Sequence, residues 1–281
     1  MNIPCHQYFN CDPTHQEVYS TDQSLVYVRC LDCGLIWRSP ESSGIAKEYG
    51  ESYVLSKNYL KNRAHKIKKA TWLIRSALHF NQDIKTLFEV GSSIGSTLEA
   101  ARNLGIEPYG IDINEFAVDY CRQAGLNADL RTMDNLVAEG SRFDMVFMQH
   151  VLEHFEDPFH TLMQCAEIMN EGGIIVILVP NSAYKRSVRL RGKHRFYNIA
   201  GVGLEHFVYF DYPSLIRVLE MTGFTILQQN YPWIIPGFVN LESFISRFVR
   251  RVLSYFQLNQ EILVIAQKNS AFIPANPSGS G

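Results

Sequence analysis

From residue 84 onward, short apolar runs alternate with segments of helical periodicity. Parallel strands need a long crossover between each pair, and a helix is the usual filling, so this alternation restricts the fold more than any other feature. The strand candidates are "TLFEVG", "EPYGIDI", "ADLRT", "FDMVFMQ", "GGIIVILVP", "FTILQQNY" and "EILVIAQK". The helix candidates "STLEAARNLG", "EFAVDYCRQAG", "PFHTLMQCAEIMNEG" and "SLIRVLEMTG" fit between them. Each ends at a glycine, a common helix stop. Seven strands interleaved with helices predict an α/β chain built on a doubly wound, seven-stranded, mostly parallel sheet.

In such a sheet, ligands bind at the carboxyl ends of the strands, beside the topological switch point. The first strand ends at Glu89, and Gly91-Ser92-Ser93-Ile94-Gly95 turns into a helix. The second strand ends at Asp112, next to Ile113, where a carboxylate can accept both hydroxyls of a ribose. The spacing E-x-G-x-x-x-G differs from the G-x-G-x-x-G of dinucleotide sites, and Glu89 would repel a pyrophosphate. A ligand with an amino group, a positive centre and a ribose suits both acidic ends, and S-adenosylmethionine is such a ligand. The stretch resembles motif I and the second-strand acidic position of class I S-adenosylmethionine-dependent methyltransferases, with Ser93 at the middle glycine of their D/E-x-G-x-G-x-G. The resemblance implies a Rossmann-like methyltransferase fold and cofactor contacts from Glu89, Gly91, Ser92, Ser93, Gly95, Asp112 and Ile113.

A second cluster, "FDMVFMQHVLEHFEDP", is similar to the fourth-strand motif of the same family through Phe143, Asp144, Val146, Leu152, Glu153, His154, Asp157 and Pro158. Methyl transfer is an in-line attack on the sulfonium carbon, and an alcohol or phenol acceptor needs a base within reach. His150 and His154 would share one face if their segment is helical. His150 is the first candidate base. His154 is expected to act as a base or to hydrogen-bond its own loop, and Glu153 with His154 matches a pair implied to hold a divalent ion in quinone-precursor methyltransferases. By position in the family, Thr132, Met133 and Asp134 are expected near adenine and Gln149 near the methionine part. The long segment 181–212 resembles the acceptor-side lid and brings a further base candidate, His206. Lys185, Arg186, Arg189, Arg191, Lys193 and Arg195 form a local basic run there, read either as an anion site or as a solvated loop.

Four of the six cysteines precede residue 34. In a reducing compartment such a cluster reads better as a metal site than as disulfides. "RCLDCGLIW" resembles the second half of the zinc-ribbon module that precedes many such methyltransferases. This implies structural Zn2+ on Cys5, Cys11, Cys30 and Cys33, although Cys5 and Cys11 are five residues apart rather than two; His6 and His15 lie nearby as substitutes. A ribbon without metal, its thiols packed as small apolar groups, is the alternative. The expected organisation is a zinc-ribbon-like module over 1–44, a helical connector over 45–83, the methyltransferase domain over 84–268 with a lid insertion about 181–212, and a disordered tail over 269–281. Tyr49 and Tyr53 in the connector are weak candidates for cofactor or acceptor contact. Phe244, Phe248, Val252 and Phe256 lie at helical spacing with basic residues between them, as on a helix packed on the domain or laid on a membrane surface.

The net charge of −2 gives no electrostatic reason to expect a nucleic-acid backbone as partner. The first residues carry neither the basic start nor the apolar stretch of a secretory signal, and no apolar run is long enough for a bilayer span, so a cytoplasmic protein is expected. The expected acceptor is a small molecule, with O-methylation of a sugar, glycan precursor or secondary metabolite first. A protein or RNA methyltransferase that uses the ribbon to bind its substrate, and a non-catalytic binding module, remain as alternatives.

Overall fold

In a computed structural model of the chain, the described residues are 5, 11–22, 25–39, 59–183, 206–229 and 261–270. Three strands come first: β1 (Gln16–Asp22), β2 (Leu25–Cys30) and β3 (Ile36–Arg38). Helix α1 (Arg63–Leu78) leads into β4 (Thr86–Val90), α2 (Ser96–Asn103), β5 (Glu107–Asp112), α3 (Glu115–Gln123), β6 (Ala128–Leu130) and α4 (Met133–Ala138). Then follow β7 (Phe143–Gln149), α5 (Pro158–Glu167), β8 (Met169–Pro180), β9 (Val208–Tyr209), α6 (Tyr212–Met221), β10 (Phe224–Gln229) and β11 (Glu261–Lys268).

The seven expected strands form one sheet in the order β10-β11-β8-β7-β4-β5-β6. β11 runs antiparallel to both its neighbours, and the pairings from β8 to β6 are parallel. Chain order reverses between β4 and β7, so the switch point lies where Val90 pairs with Met148. β4 and β7 are buried on both faces, and their apolar runs are nearly continuous for that reason. On one face, α1 lays Ala70, Leu73, Ile74 and Ala77 over Leu87, Met145 and Phe147. That i, i+3, i+4, i+7 spacing is the apolar stripe of a helix facing a core.

The opposite face carries a second, smaller sheet, β1-β2-β3-β9. Its last strand comes from the segment read as a lid: Ile36 pairs with Tyr209 and Trp37 with Val208. Leu35 and Trp37 join one core with Phe159 and Leu162 of α5 and Leu215 and Val218 of α6. The Trp37 ring stacks on Phe159 at 6.3 Å between centroids. The cysteine-bearing segment is thus packed into the large domain's core by apolar contact.

Three local expectations change. The helix expected over 158–172 ends at Glu167, and Met169 already starts β8, where it pairs with Phe143. Gly172 at φ +72° and the close approach of Gly173 to the Asn170 and Asp144 carbonyls let the strand begin with an irregularity. "MDNLVA" forms the unanticipated short helix α4, fixed by a capping box between Thr132 and Asn135. β1, β3 and β9 were not recognised either; two of them are three residues or fewer. Tyr49 and Tyr53 of the expected connector, His6, the basic run from Lys185 to Arg195, and the amphipathic segment around Phe244–Phe256 lie outside the described residues. Among the described residues no helix is long and apolar enough to cross a membrane.

Trp37 is 3% exposed and joins the two sheets. Trp37→Ala is expected to lower stability by about 3–5 kcal/mol, read as the shift in a urea unfolding midpoint. A shift below about 1 kcal/mol would mean that the small sheet is not anchored through this ring.

Candidate functional site

The turn after β4 is built from left-handed residues. Gly91 and Gly95 both have φ +71°, and Ser93 between them has φ 47°. A side chain at such an angle costs roughly 1–2 kcal/mol. Here Ser93 is held in place: its N–H donates to Asp112 Oδ2 at 2.7 Å, and its carbonyl accepts from Cys121 Sγ at 3.2 Å. The Gly91 and Ser92 N–H groups both donate to the Ile111 carbonyl at 2.9 Å, which locks the turn against β5. At Gly95 a Cβ would stand 2.5 Å from Leu126 Cδ1 and 2.9 Å from Cys121 Sγ.

A cavity of about 470 Å³ opens at the carboxyl ends of β4, β5 and β7. Glu89, Gly91, Ser92, Ser93, Asp112, Ile113, Thr132, Met133, Gln149, His150 and His154 line it. Gly95 and Asp134 do not. Gly95 begins α2, and Asp134 accepts from the Gln164 side chain at 2.6 Å, tying α4 to α5. Sequence reasoning missed Tyr59, Lys66, Arg131, Phe155 and Phe207 of the lining. Lys66 sits one turn into α1, on a helix read only as a connector, and Phe207 adjoins the two-residue strand β9.

The polar groups of the cavity suit an amphoteric ligand. Burial pushes the Glu89 carboxyl well above the ordinary range, while the Thr97 hydroxyl and the Lys66 charge pull the other way. Glu89 Oε2, Ser92 Oγ and Ser96 Oγ are buried with no hydrogen-bond partner. Buried polar atoms are nearly always paired, so orphans that line a cavity point to a ligand that completes them. Burial also raises the Asp112 carboxyl, against the backbone N–H groups of Asn114, Ser93 and Ile113. Ile113, 65% exposed beside Asp112, offers an apolar platform at the cavity mouth.

The second cluster departs from the expected helix. His150 has φ 54° and precedes a single 3-10 turn, Leu152–His154, so His150 and His154 do not share a helical face. His150 instead bridges two carboxylates, with Nε2 at 2.8 Å from Glu261 and Nδ1 at 3.6 Å from Glu153. Burial works against its charge, but these partners outweigh it and lift its pKa to about 9. The two carboxylates thus favour the charged imidazole, which disfavours His150 as a base. On the other side of Glu153 stand His206, with Nε2 at 3.9 Å, and His154, whose ring meets that of His206 at 4.7 Å. Glu153 is 1% exposed, and neither carboxylate oxygen has a hydrogen-bond partner. Burial opposes its ionisation, yet His150 foremost, with His206 and His154, holds its pKa below the ordinary value. The ligand atoms of Glu153, His154 and His206 lie within 4.8 Å of one another. His206 does not line the cavity, but its neighbour Phe207 does.

The four N-terminal cysteines converge. The thiols of Cys5, Cys11, Cys30 and Cys33 are buried, unoxidised and within 4.8 Å of one another. Cys30 and Cys33 sit on a tight knuckle in which the Gly34 N–H donates to the Cys30 carbonyl, with Gly34 at φ +79°. The hydrogen bond between Cys5 and Cys33 raises the first thiol and lowers the second to about 6. His15 stands outside the set, since it is exposed and pairs with Asp32 at 3.1 Å.

Two variants test the geometry of the turn and the charge it holds. Gly95→Ala combines a strained φ with two steric overlaps and is expected to cost about 2–4 kcal/mol in a denaturant titration. Glu89 has a raised folded-state pKa, so its contribution to stability is full below the ordinary carboxyl value and is lost as pH rises toward the folded value. Glu89→Gln should therefore melt at a higher temperature than the parent without ligand, with a gap that widens as pH rises. A gap that is absent or narrows with pH would contradict a buried, costly charge at this position.

A family model described as a methyltransferase domain matches residues 59–229. A ubiquinone biosynthesis O-methyltransferase of Coxiella burnetii is 24% identical over 155 residues, which cover 50% of this chain and 66% of that protein. Another of that name, from Cereibacter sphaeroides, is 34% identical over 96 residues, 32% of this chain and 39% of that protein. The chain thus spans about two thirds or less of the length of these curated relatives. Among solved structures, a SAM dependent methyltransferase from Archaeoglobus fulgidus superposes with a TM-score of 0.54 at 22% identity, covering 78% of this chain and all of that one. The plantazolicin methyltransferase BpumL in complex with SAH gives 0.56 at 14% identity, covering 78% and 90%. These structural likenesses show the fold, and the match over residues 59–229 shows the family: the chain belongs to the methyltransferase-domain family.

Proposed function

We propose that the protein transfers a methyl group from S-adenosylmethionine to an oxygen of a small-molecule acceptor. The cavity at the carboxyl ends of β4, β5 and β7 carries this reading. It brings together two acidic strand ends, Glu89 and Asp112, and the Glu89 Oε2, Ser92 Oγ and Ser96 Oγ atoms there are buried without partners. Glu89 and the Ser92 and Ser96 hydroxyls would face the methionine part, Asp112 the ribose, and Ile113 with Met133 the adenine. Thr132, Ser93, Gly91 and Gln149 complete the lining, while Gly95 and Asp134 support it from behind. The names of the curated relatives favour oxygen as the methylated atom. A sugar, a glycan precursor or a hydroxylated secondary metabolite fits as acceptor class.

The bound cofactor supplies an electrophilic methyl group on its sulfonium. The protein's part is to align an acceptor oxygen with it and to take the proton. His154 lines the cavity and is the favoured base, with His206 and the Glu153 carboxylate behind it. The charged form of His150 balances the charge of Glu153. The trio Glu153, His154 and His206 also fits a divalent cation, because its buried carboxylate has no hydrogen-bond donor. Such an ion would lower the pKa of a coordinated acceptor hydroxyl. The four N-terminal thiols fit a structural Zn2+, since four thiolates complete a tetrahedral shell. In this reading 1–44 is a zinc-ribbon-like module, 45–83 a connector, and 84–268 the methyltransferase domain with a lid about 181–212.

Calorimetric titration with S-adenosylmethionine and its demethylated product, followed by label transfer to a panel of catechols, sugars and other hydroxylated compounds, tests the proposal. Binding is expected, and Asp112→Ala should weaken it about tenfold or more by removing a charged acceptor. Binding without transfer to any small molecule, but with transfer to protein or RNA, would favour the macromolecular alternative. Failure to bind at millimolar cofactor would leave a non-catalytic module of the same fold. Metal analysis should return zinc in the parent and its loss in Cys30→Ser/Cys33→Ser. Any second divalent ion should be lost in His154→Ala/His206→Ala.

A further inference from the structure

The cavity contains a cation that the family's motifs do not explain. Lys66 lies on α1, outside both sequence clusters, and its side chain lines the cavity together with Glu89. Its ammonium sits 3.4 Å from the centroid of the Tyr59 ring, and Tyr59 lines the cavity too. Arg131, the other lysine or arginine of the lining, is engaged by Glu139 with two contacts of 2.9 Å. Nearby on α1, Arg63 pairs with Glu99 and Lys69 pairs with Glu261. Lys66 has no carboxylate within ion-pair distance among the described residues, so three of these four cations are matched and the one facing the cavity is not.

A partly buried ammonium is costly unless an anion meets it. Burial holds the Lys66 pKa down to about 8, with the more distant Glu89 charge opposing. An aromatic face under an ammonium stabilises it modestly but neutralises nothing. The ligand proposed above is zwitterionic at its amino-acid end. Its ammonium needs an acceptor, which the unpartnered Glu89 Oε2 supplies. Its carboxylate needs a cation in the same cavity as Glu89, and Lys66, which lines that cavity with it, meets that condition.

We infer that Lys66, seated on Tyr59, is the receptor for the α-carboxylate of S-adenosylmethionine, which makes α1 part of the cofactor site rather than a connector. This rests on the cofactor reading above and adds a residue to it. The ammonium donates a charge-assisted hydrogen bond to the carboxylate, and the bound carboxylate stabilises the charged form of the lysine in return. Recognition of the carboxylate separates S-adenosylmethionine from its decarboxylated analogue, which keeps the adenosine, the sulfonium and the amino group.

The test is a calorimetric comparison of these two compounds on the full chain, with the parent, Lys66→Met and Lys66→Arg. The parent is expected to prefer S-adenosylmethionine by about tenfold to a hundredfold. Lys66→Met should lose most of that preference while binding the decarboxylated analogue within about threefold of the parent, which also shows that the variant is folded. Lys66→Arg should recover part of the preference. Equal losses on both compounds would assign Lys66 a structural role and overturn the inference, as would an unchanged preference in Lys66→Met. A parent that binds neither compound would overturn the cofactor reading itself, a pattern distinct from either of these.

Discussion

Taking a carboxylate out of water without hydrogen-bond donors is possible only when positive charge surrounds it. Glu153 is that carboxylate, and the arrangement around it ties the molecule together. His150 and His206 both approach its Oε1, at 3.6 and 3.9 Å. His150 is fixed in turn by Glu261, and Glu261 by Lys69 of α1 at 2.9 Å. The main-chain carbonyl of Glu153 accepts from the Phe207 N–H at 2.8 Å. The Phe207 carbonyl then accepts from the Arg38 N–H at 2.8 Å, and β9 pairs with β3 beyond it. The residue that carries this buried charge thus also holds, through its main chain, the segment that leads into β9, and β9 completes the cysteine-bearing sheet.

Strain collects at the same place. Ser93 and His150 are the non-glycine residues with positive φ among the described residues, and both border the cavity. Each is pinned by more than one contact. Ser93 is held through Asp112 and Cys121, and His150 through the Leu178 carbonyl and two carboxylates. Strained backbone persists where surrounding contacts over-determine it, and such positions gather at functional sites. Ser93 is therefore accommodated at a left-handed position, and the turn keeps its close backbone approach.

The fold was legible because its signals were local and long. The seven strands of the large sheet are apolar runs with glycine-terminated helices between them, and their edges shifted by only a few residues. Glu89 and Asp112 were legible because a strand end in this architecture has one place to point. The parts that were missed depend on pairing across the sequence. Val208 and Tyr209 form a strand only because Ile36 and Trp37 offer an edge, and no two-residue pattern announces that. The pairing of His150 with Glu261 spans 111 positions, so local spacing suggested a histidine face instead of a charge bridge. Lys66 was hidden for a related reason: on α1 it reads as one cation among several, and only the burial and pairing of its neighbours single it out.

The two sides of the cavity are built differently, and that difference bears on specificity. The glycine-turn side is made of consecutive pieces: a strand end, a glycine turn and the next strand end, with backbone hydrogen bonds inside the turn. Little can vary there without disturbing the sheet. On the opposite side Phe207 lines the cavity and is backed by two distant segments, through backbone hydrogen bonds to Arg38 and Glu153 and the Arg38 guanidinium 3.7 Å from the centre of its ring. Arg38 lies before the stretch that matches the family model. In the reading proposed above this side is the acceptor wall, and it leans on a residue outside the common domain, so changes in the cysteine-bearing sheet can reshape it while the glycine-turn side stays as it is. A shared methyltransferase core can in this way take on different acceptors without altering the elements that hold the methyl donor.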